Sequence, residues 1–314
     1  MNLGPLVFGT NVFGWTVDEA VAFDLLDRCV EHGIRHFDTA DHYVTWAPGG
    51  RGGESETILG KWLSDRKPPD VGVITKVGFP MGDGGRGLGR RHIRESISRS
   101  LDRLQRDHVE MYLAHLEDPN TPIEETMEAF AELIEEGLVR EIGVSQVSSA
   151  RIDRACSYAS RQRLPSFAVY ETLYNLYERE PFECDGAEVA RRHAMRVLPY
   201  RALAAGFLTG KYRTREDSAG RARGARVREF FDERGARVLS ALDQVVAETG
   251  RTHAAIALAW LLAKTSISSV LVSATTVEQI DQQASATDVV LTGDQIVLLD
   301  EAGRVTPAGG EVLR

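Results

Sequence analysis

Short apolar runs and longer amphipathic stretches alternate along this chain. The first run is Leu6-Val7-Phe8-Gly9, a candidate strand. Ala20, Phe23, Leu25, Leu26 and Val30 then share one face at a 3.6-residue period. That predicts a helix over 17–32, with Gly33 as its C-terminal cap. An apolar run at 34–38 predicts the second strand, and 54–63 the next helix. Further strands are predicted over 71–75, 109–114, 139–144, 167–170, 196–199 and 269–272. Helices are predicted over 91–105, from Pro122 to near Gly137, and over 148–161, 186–193, 232–249, 254–263, 277–286 and 292–302. Proline is well placed in the first turn of its helix. A polar insert at 214–228 interrupts the alternation.

Strands alternating with helices predict a parallel sheet with helices outside it. Eight such units in 314 residues match a (β/α)8 TIM barrel, an α/β fold in a single domain over 1–314. No Pro/Gly-rich linker divides the chain. The competing architecture is a doubly wound open sheet. Gly82 to Gly87 spells GxGxxG between a strand and a helix, which is the decoy for it. A dinucleotide fingerprint needs its tight turn at the strand end and an acidic residue at a second strand end. Here the first glycine comes well after Lys76, and Asp102 falls inside a helical pattern. These glycines read instead as a flexible active-site loop. The loops near 43–53, 77–90 and 214–228 are expected to set specificity.

In a barrel, functional groups collect at the C-terminal strand ends. The second strand ends at Asp38, with Tyr43 on the following loop. The third ends at Lys76 and the fourth near His115. A carboxylate, a phenol, an ammonium and an imidazole therefore converge on one mouth. Reducing a carbonyl needs a hydride donor and a proton for the developing alkoxide. Tyr43 can give that proton, and Lys76 is expected to lower its pKa from about 10. Asp38 would hold Lys76 in place, and His115 would hydrogen-bond the carbonyl oxygen. Trp15, Trp46 and Phe79 lie on mouth-side loops and can form an apolar substrate wall.

Composition narrows the alternatives. Hydrophobic residues make up 43% and charged residues 26%, with a net charge of −9, which argues against a nucleic-acid or anionic-membrane partner. The basic stretches 86–94 and 221–228 read as solvated loops. Three scattered cysteines, Cys29, Cys156 and Cys184, support neither a disulfide framework nor a zinc ribbon, and fit a reducing compartment. No signal peptide is evident, and the longest apolar run, 254–263, is too short to cross a bilayer, so a cytoplasmic location is expected. The histidines lack metal-ligand spacing, so no metal is expected. No GxSxG or Cys-His signature points to acyl transfer. Oligomeric state and the identity of the substrate are not legible.

The chain resembles the aldo-keto reductase superfamily from end to end. The resemblance is carried by Phe37-Asp-Thr-Ala-Asp-His-Tyr43, Gly53-Glu-Ser-Glu56, Ile74-Thr-Lys76-Val-Gly, Tyr112-Leu-Ala-His115, Gly137-Leu-Val-Arg-Glu-Ile-Gly-Val-Ser145, Gly206-Phe-Leu-Thr-Gly-Lys-Tyr212 and Ser273-Ala-Thr-Thr-Val-Glu-Gln279. Segments 46–56 and 82–91 resemble the bacterial branch near the potassium-channel β-subunit relatives. The resemblance implies a barrel that binds NADPH without a Rossmann fold. It also implies a tetrad of Asp38, Tyr43, Lys76 and His115, with Tyr43 as general acid. Implied cofactor contacts begin with Thr10 and Asn11 after the first strand. At the nicotinamide they are Ser145, Gln146, Glu171, Tyr200 and Arg201. Leu203, Gly206, Lys211 and Arg213 follow. At the adenosine end they are Ser273, Thr275, Thr276, Gln279 and Gln283.

Several of these positions depart from the family pattern. Gln146 replaces Asn, Glu171 replaces the Gln that holds the nicotinamide carboxamide, and Arg201 replaces a small residue. The basic residue often found at the Thr276 position is missing, which leaves NADH open, although Lys211 or Arg213 could serve a phosphate. The two new charges at neighbouring strand ends predict a Glu171–Arg201 ion pair. The expected function is NAD(P)H-dependent reduction of an aldehyde or ketone. The alternatives are a cofactor-binding regulatory subunit, or a specialised enzyme of this fold with redox-neutral or non-reductive chemistry.

Overall fold

The computed structural model describes residues 2–82 and 84–305. Among them, eight parallel strands form one sheet: β1 (Leu6–Gly9), β2 (His36–Asp38), β3 (Gly72–Val77), β4 (Val109–Ala114), β5 (Val139–Ser145), β6 (Val169–Leu173), β7 (Arg196–Tyr200) and β8 (Val270–Val272). Each pairs with its sequence neighbour from β1 to β7, and β8 pairs with β1. The sheet therefore rolls up. At the seam between β7 and β8, the Ser268 N–H donates to the Val197 carbonyl at 3.0 Å, and the Val197 N–H donates to Ser268 Oγ at 3.2 Å. The result is a nearly closed (β/α)8 barrel, as the alternation predicts.

Strands buried on both faces read as continuous apolar runs. Their side chains nevertheless divide strictly by parity. Val7, Ile74, Met111, Leu113, Val169, Leu198 and Leu271 fill the barrel interior. Phe8, Phe37 and Tyr112 face outward onto helices, where Phe37 meets Trp62 at 5.2 Å between ring centroids. Gly143 has an interior address with no side chain. A methyl group there would lie 2.7 Å from the Val169 carbonyl and would overlap Leu113, so the glycine is what lets Leu113 occupy the centre. Side-chain caps start several of the surrounding helices: Asp18, Ser148, Asp232 and Thr252 each accept from a backbone N–H of the first turn.

Three elements depart from the sequence expectation. β6 starts two residues later than expected and continues to Leu173, because β7 offers it partners as far as Tyr200. Glu171 thus lies inside a strand. The helix expected over 186–193 becomes a wide π turn, Phe182–Gly186, running into Ala187–Arg192. The insert at 214–228 holds two short helical turns, Glu216–Ser218 and Gly224–Val227, with a third, Arg228–Phe230, running past its end. Buried Val227 and Phe230 anchor this segment, Phe230 against Phe207 at 5.5 Å. The GxGxxG stretch forms a loop after β3, and its Asp83 lies outside the described residues. Among the described residues no helix is long and apolar enough to cross a membrane.

Candidate active site

The parity that fills the barrel also builds its rim. Two residues beyond each interior position, the same face presents Gly9, Asp38, Lys76, His115, Ser145, Glu171, Tyr200 and Ser273, one from each strand or the residue directly after it. All but Lys76 line a cavity of about 360 Å³, and Lys76 lies beneath it, fully buried. Tyr43 reaches the same place from the loop after β2. Lys76 Nζ donates to both Asp38 oxygens at 2.6 Å, to the Thr39 carbonyl at 2.9 Å and to the Tyr43 hydroxyl at 2.9 Å. The Tyr43 hydroxyl in turn donates to Asp38 Oδ2 at 3.1 Å. The expected carboxylate, ammonium and phenol are thus one hydrogen-bonded unit.

The electrostatics differ from expectation at Tyr43. Burial, and then the Asp38 charge, push its phenol well above 10, and the opposing pull of Lys76 does not reverse this. The phenol therefore stays protonated across the physiological range. Burial also works against the Lys76 charge, but Asp38, Glu171 and Tyr43 outweigh it, so the ammonium stays charged. Burial pushes the Asp38 carboxyl up against the pull of Lys76.

His115 lies in the cavity wall. Burial, then Lys76 and His42, hold its imidazole well below the usual histidine range, so it is neutral. A neutral imidazole can donate one N–H to an oxygen in the cavity. His42 is a lining residue that strand-end reasoning missed, because it sits on the loop beside Tyr43. Its ring stacks on Phe79 at 4.3 Å and 15° and meets His115 edge-on at 4.6 Å. Burial and Lys76 lower it to about 4. Trp46 packs edge-on against His42 and Tyr43, and Trp15 meets Trp46 at 5.9 Å. Trp46 and Phe79 line this cavity, and Trp15 the adjoining groove.

On the opposite wall stand Asn11, Ser145, Gln146, Glu171, Tyr200, Arg201, Leu203 and Gly206. Directly after Tyr43, Ser145 and Tyr200 the chain turns left-handed, at Val44 (φ 82°), Gln146 (φ 51°) and Arg201 (φ 53°). Such conformations cost about 1–3 kcal/mol each and concentrate at functional sites. The Gln146 amide donates to the His115 carbonyl at 3.3 Å. The expected Glu171–Arg201 ion pair does not form. Glu171 Oε2 lies 3.7 Å from Lys76 Nζ instead, and Arg201 is exposed, with no ion pair among the described residues. The left-handed turn separates the two: it follows Tyr200, while Glu171 points into the barrel.

A groove of about 590 Å³ continues from this cavity. Leu203, Gly206, Lys211, Ser273, Thr275, Thr276, Gln279 and Gln283 line it, together with Arg221 and Arg223 from the stretch expected to be solvated. Arg223 borders both cavities, and its Nη2 is buried without a hydrogen-bond partner among the described residues. Ser145 Oγ, Ser273 Oγ and Gln283 Oε1 are likewise buried and unpartnered. Two expected cofactor residues stand apart. Thr10 bonds the Asp38 carbonyl and Ser55, lining neither cavity, and Arg213 is held by Asp243 in two contacts of 2.9 and 2.8 Å. Thr276 caps the helix Val277–Ala284, and Gln279 accepts from the Thr275 N–H. Among the described residues no three His, Cys, Asp or Glu side chains are grouped to hold a metal ion.

Comparison with known proteins agrees with this architecture. The family model of the aldo/keto reductase family matches residues 5–304. An uncharacterized oxidoreductase, YrpG, of Bacillus subtilis is 31% identical over 309 residues, covering 96% of this chain and 92% of that protein. A probable voltage-gated potassium channel subunit beta of Arabidopsis thaliana is 32% identical, over 95% of this chain and 92% of its own length. L-glyceraldehyde 3-phosphate reductase of Escherichia coli O157:H7 is 27% identical, over 88% and 82%. The chain belongs to the aldo/keto reductase family of oxidoreductases.

Proposed function

We propose that the protein reduces an aldehyde or ketone to an alcohol with NADPH, and that Tyr43 is the proton donor. The observation that carries this reading is the Tyr43 hydroxyl at the cavity floor, 2.9 Å from the Lys76 ammonium. The buried, unpartnered Ser145, Ser273 and Gln283 oxygens suit a long polar ligand running from cavity to groove. The Tyr200 side chain offers a flat face for a nicotinamide ring at the inner end of that path. When bound there, the reduced nicotinamide supplies the hydride.

The chain's own residues supply the rest. His115, neutral, donates a hydrogen bond to the carbonyl oxygen and orients it. As charge builds on that oxygen, Tyr43 transfers its proton. The same burial acts on the developing alkoxide, and a phenol is intrinsically the stronger acid of the two, so Tyr43 can give up its proton to it. Lys76 stabilises the phenolate left behind, and Asp38 fixes Lys76 in place. The aromatic wall of His42, Trp46 and Phe79 excludes water and suits an apolar substrate body. A regulatory, channel-subunit role is the weaker reading, because a pure sensor needs no proton donor beside its cofactor.

The test is NADPH oxidation against a panel of aldehydes. Tyr43→Phe is expected to lose turnover by about 100-fold or more while binding NADPH with near-native affinity. Undiminished turnover in that variant rejects the mechanism. Parallel titrations with NADH decide the cofactor.

A further inference from the structure

Glu171 stands in the inward row of β6, paired with Ser145 of β5 and Leu198 of β7. Its side chain is 4% exposed, and Oε2 lies 3.7 Å from Lys76 Nζ. That is attraction without a hydrogen bond. An ammonium has three N–H bonds to give. Four oxygens already lie within 2.9 Å of this one: both of Asp38, the Thr39 carbonyl and the Tyr43 hydroxyl. No N–H remains for Glu171, and its Oε2 has no hydrogen-bond partner.

The other groups around Glu171 do not compensate its charge. Tyr43 and Tyr200 are phenols, and each is made harder to ionise by it. His115 is neutral. Arg201, after β7, is exposed. Two buried carboxylates over one buried ammonium would leave a net negative charge without a counter-ion. The relief available to such a pair is one retained proton. Asp38 receives hydrogen bonds from Lys76 and Tyr43 that suit an anion. Glu171 receives none at Oε2.

We propose that Asp38 and Glu171 hold one proton between them, that it rests on Glu171, and that the neutral Glu171 carboxyl grips the carboxamide of a bound nicotinamide. A neutral carboxyl both donates and accepts, as a glutamine amide does, whereas a carboxylate only accepts. Glu171 therefore does the work of an amide while protonated and half of it once ionised. Burial, and then the Asp38 charge, push its carboxyl up to about 8, so the change falls in mildly alkaline solution. The proton leaves to solvent through the open cavity that Glu171 lines. The carboxylate then places negative charge beside the nicotinamide, which disfavours the neutral reduced ring relative to the cationic oxidised one. The carboxamide role rests on the cofactor reading above; the sharing of the proton does not.

Two measurements test this. The first is the infrared difference between wild type and Glu171→Gln, without cofactor. A protonated-carboxyl band is expected in wild type at about pH 7 and gone by about pH 10. Asp41, also pushed up to about 8, contributes to both proteins and cancels. If no such band appears, or if it shifts when aspartate rather than glutamate side chains carry a 13C carboxyl, the proton assignment is overturned. The second is NADPH binding followed by fluorescence. In wild type, Kd is expected to rise about tenfold per pH unit above about 8, with NADP+ losing less, while Glu171→Gln stays flat. A flat wild-type profile overturns the carboxamide role. Failure of both proteins to bind NADPH at any pH would instead remove the cofactor reading, with the infrared result still deciding where the proton rests.

Discussion

Lys76 and Asp38 form a fully buried ion pair, with Nζ 2.6 Å from each carboxylate oxygen. Buried pairs of this kind seldom add stability over an apolar replacement, yet breaking one is costly because a charge is left alone. Lys76→Met strands the Asp38 carboxylate, its direct partner. We expect it to destabilise the fold by about 3–5 kcal/mol and to lower kcat by at least about 100-fold. Combining it with Asp38→Asn removes that stranded charge. Thermal melts of the two single variants and the double variant should show part of the lost Tm restored in the double, with activity still absent. A double variant no more stable than Lys76→Met would mean the pair is not an isolated electrostatic unit.

A second buried carboxyl lies behind the site. Asp41 is 1% exposed, and neither side-chain oxygen has a hydrogen-bond partner among the described residues. Burial, and then the neighbouring Glu56, raise it to about 8 against an unfolded value near 3.8. A raised carboxyl means that the folded state holds a proton the unfolded chain has released. Its stabilising effect is complete below about pH 4 and declines as pH rises to about 8. Asp41→Asn keeps the size and fixes the charge at zero. Its Tm should therefore exceed that of wild type by more at about pH 9 than at about pH 5. A difference independent of pH would show that Asp41 is ionised throughout.

How far the sequence reaches can be judged residue by residue. Lys76 and His115 were legible because each follows an interior apolar residue by two, and Asp38 because it ends the short run of its strand, relations local to one strand. Tyr43 was legible as the first phenol on the loop that follows Asp38. The state of Glu171 was not, because it depends on Asp38 and Lys76, which approach it only when the barrel closes. The same closure sets the protonation of Tyr43, where desolvation outweighs the ammonium visible in the sequence. Arg213 looked available for a phosphate, but Asp243, thirty residues on, takes it. The turns within 214–228 are too short to show a helical period and are fixed by Val227 and Phe230 packing on the barrel.

The His42–Phe79 stack gives the aromatic wall of the cavity a flat surface. With its imidazole lowered to about 4, His42 carries no charge at neutral pH and acts through contact alone. Aromatic pairs contribute about 0.5–1.5 kcal/mol beyond area burial, so His42→Ala should raise KM for aromatic aldehydes by roughly 3- to 10-fold. The kcat should move less, and His42→Phe should restore KM. Steady-state kinetics with a benzaldehyde series and a short aliphatic aldehyde separates this from a general loss of structure, because the aliphatic substrate should be affected least.

Arg223 supplies the last prediction. Its guanidinium lies over the Trp15 ring at 6.0 Å, on the wall shared by the cavity and the groove. Burial, and then Arg201, make its charge harder to hold, and no carboxylate among the described residues offsets it. A half-buried cation in that state is matched by an anion arriving in the cleft. If the cofactor runs from Tyr200 to Gln283, its phosphates pass this point. Hydrogen bonds to charged groups contribute about 1.5–3 kcal/mol, so Arg223→Met should weaken NADPH binding by roughly 10- to 100-fold. The loss should shrink as salt rises. Arg213→Met, which removes a cation already paired with Asp243, is the control and should leave cofactor affinity within about threefold of wild type. Calorimetric Kd values at two ionic strengths decide the matter, and equal losses in the two variants would place the phosphates elsewhere.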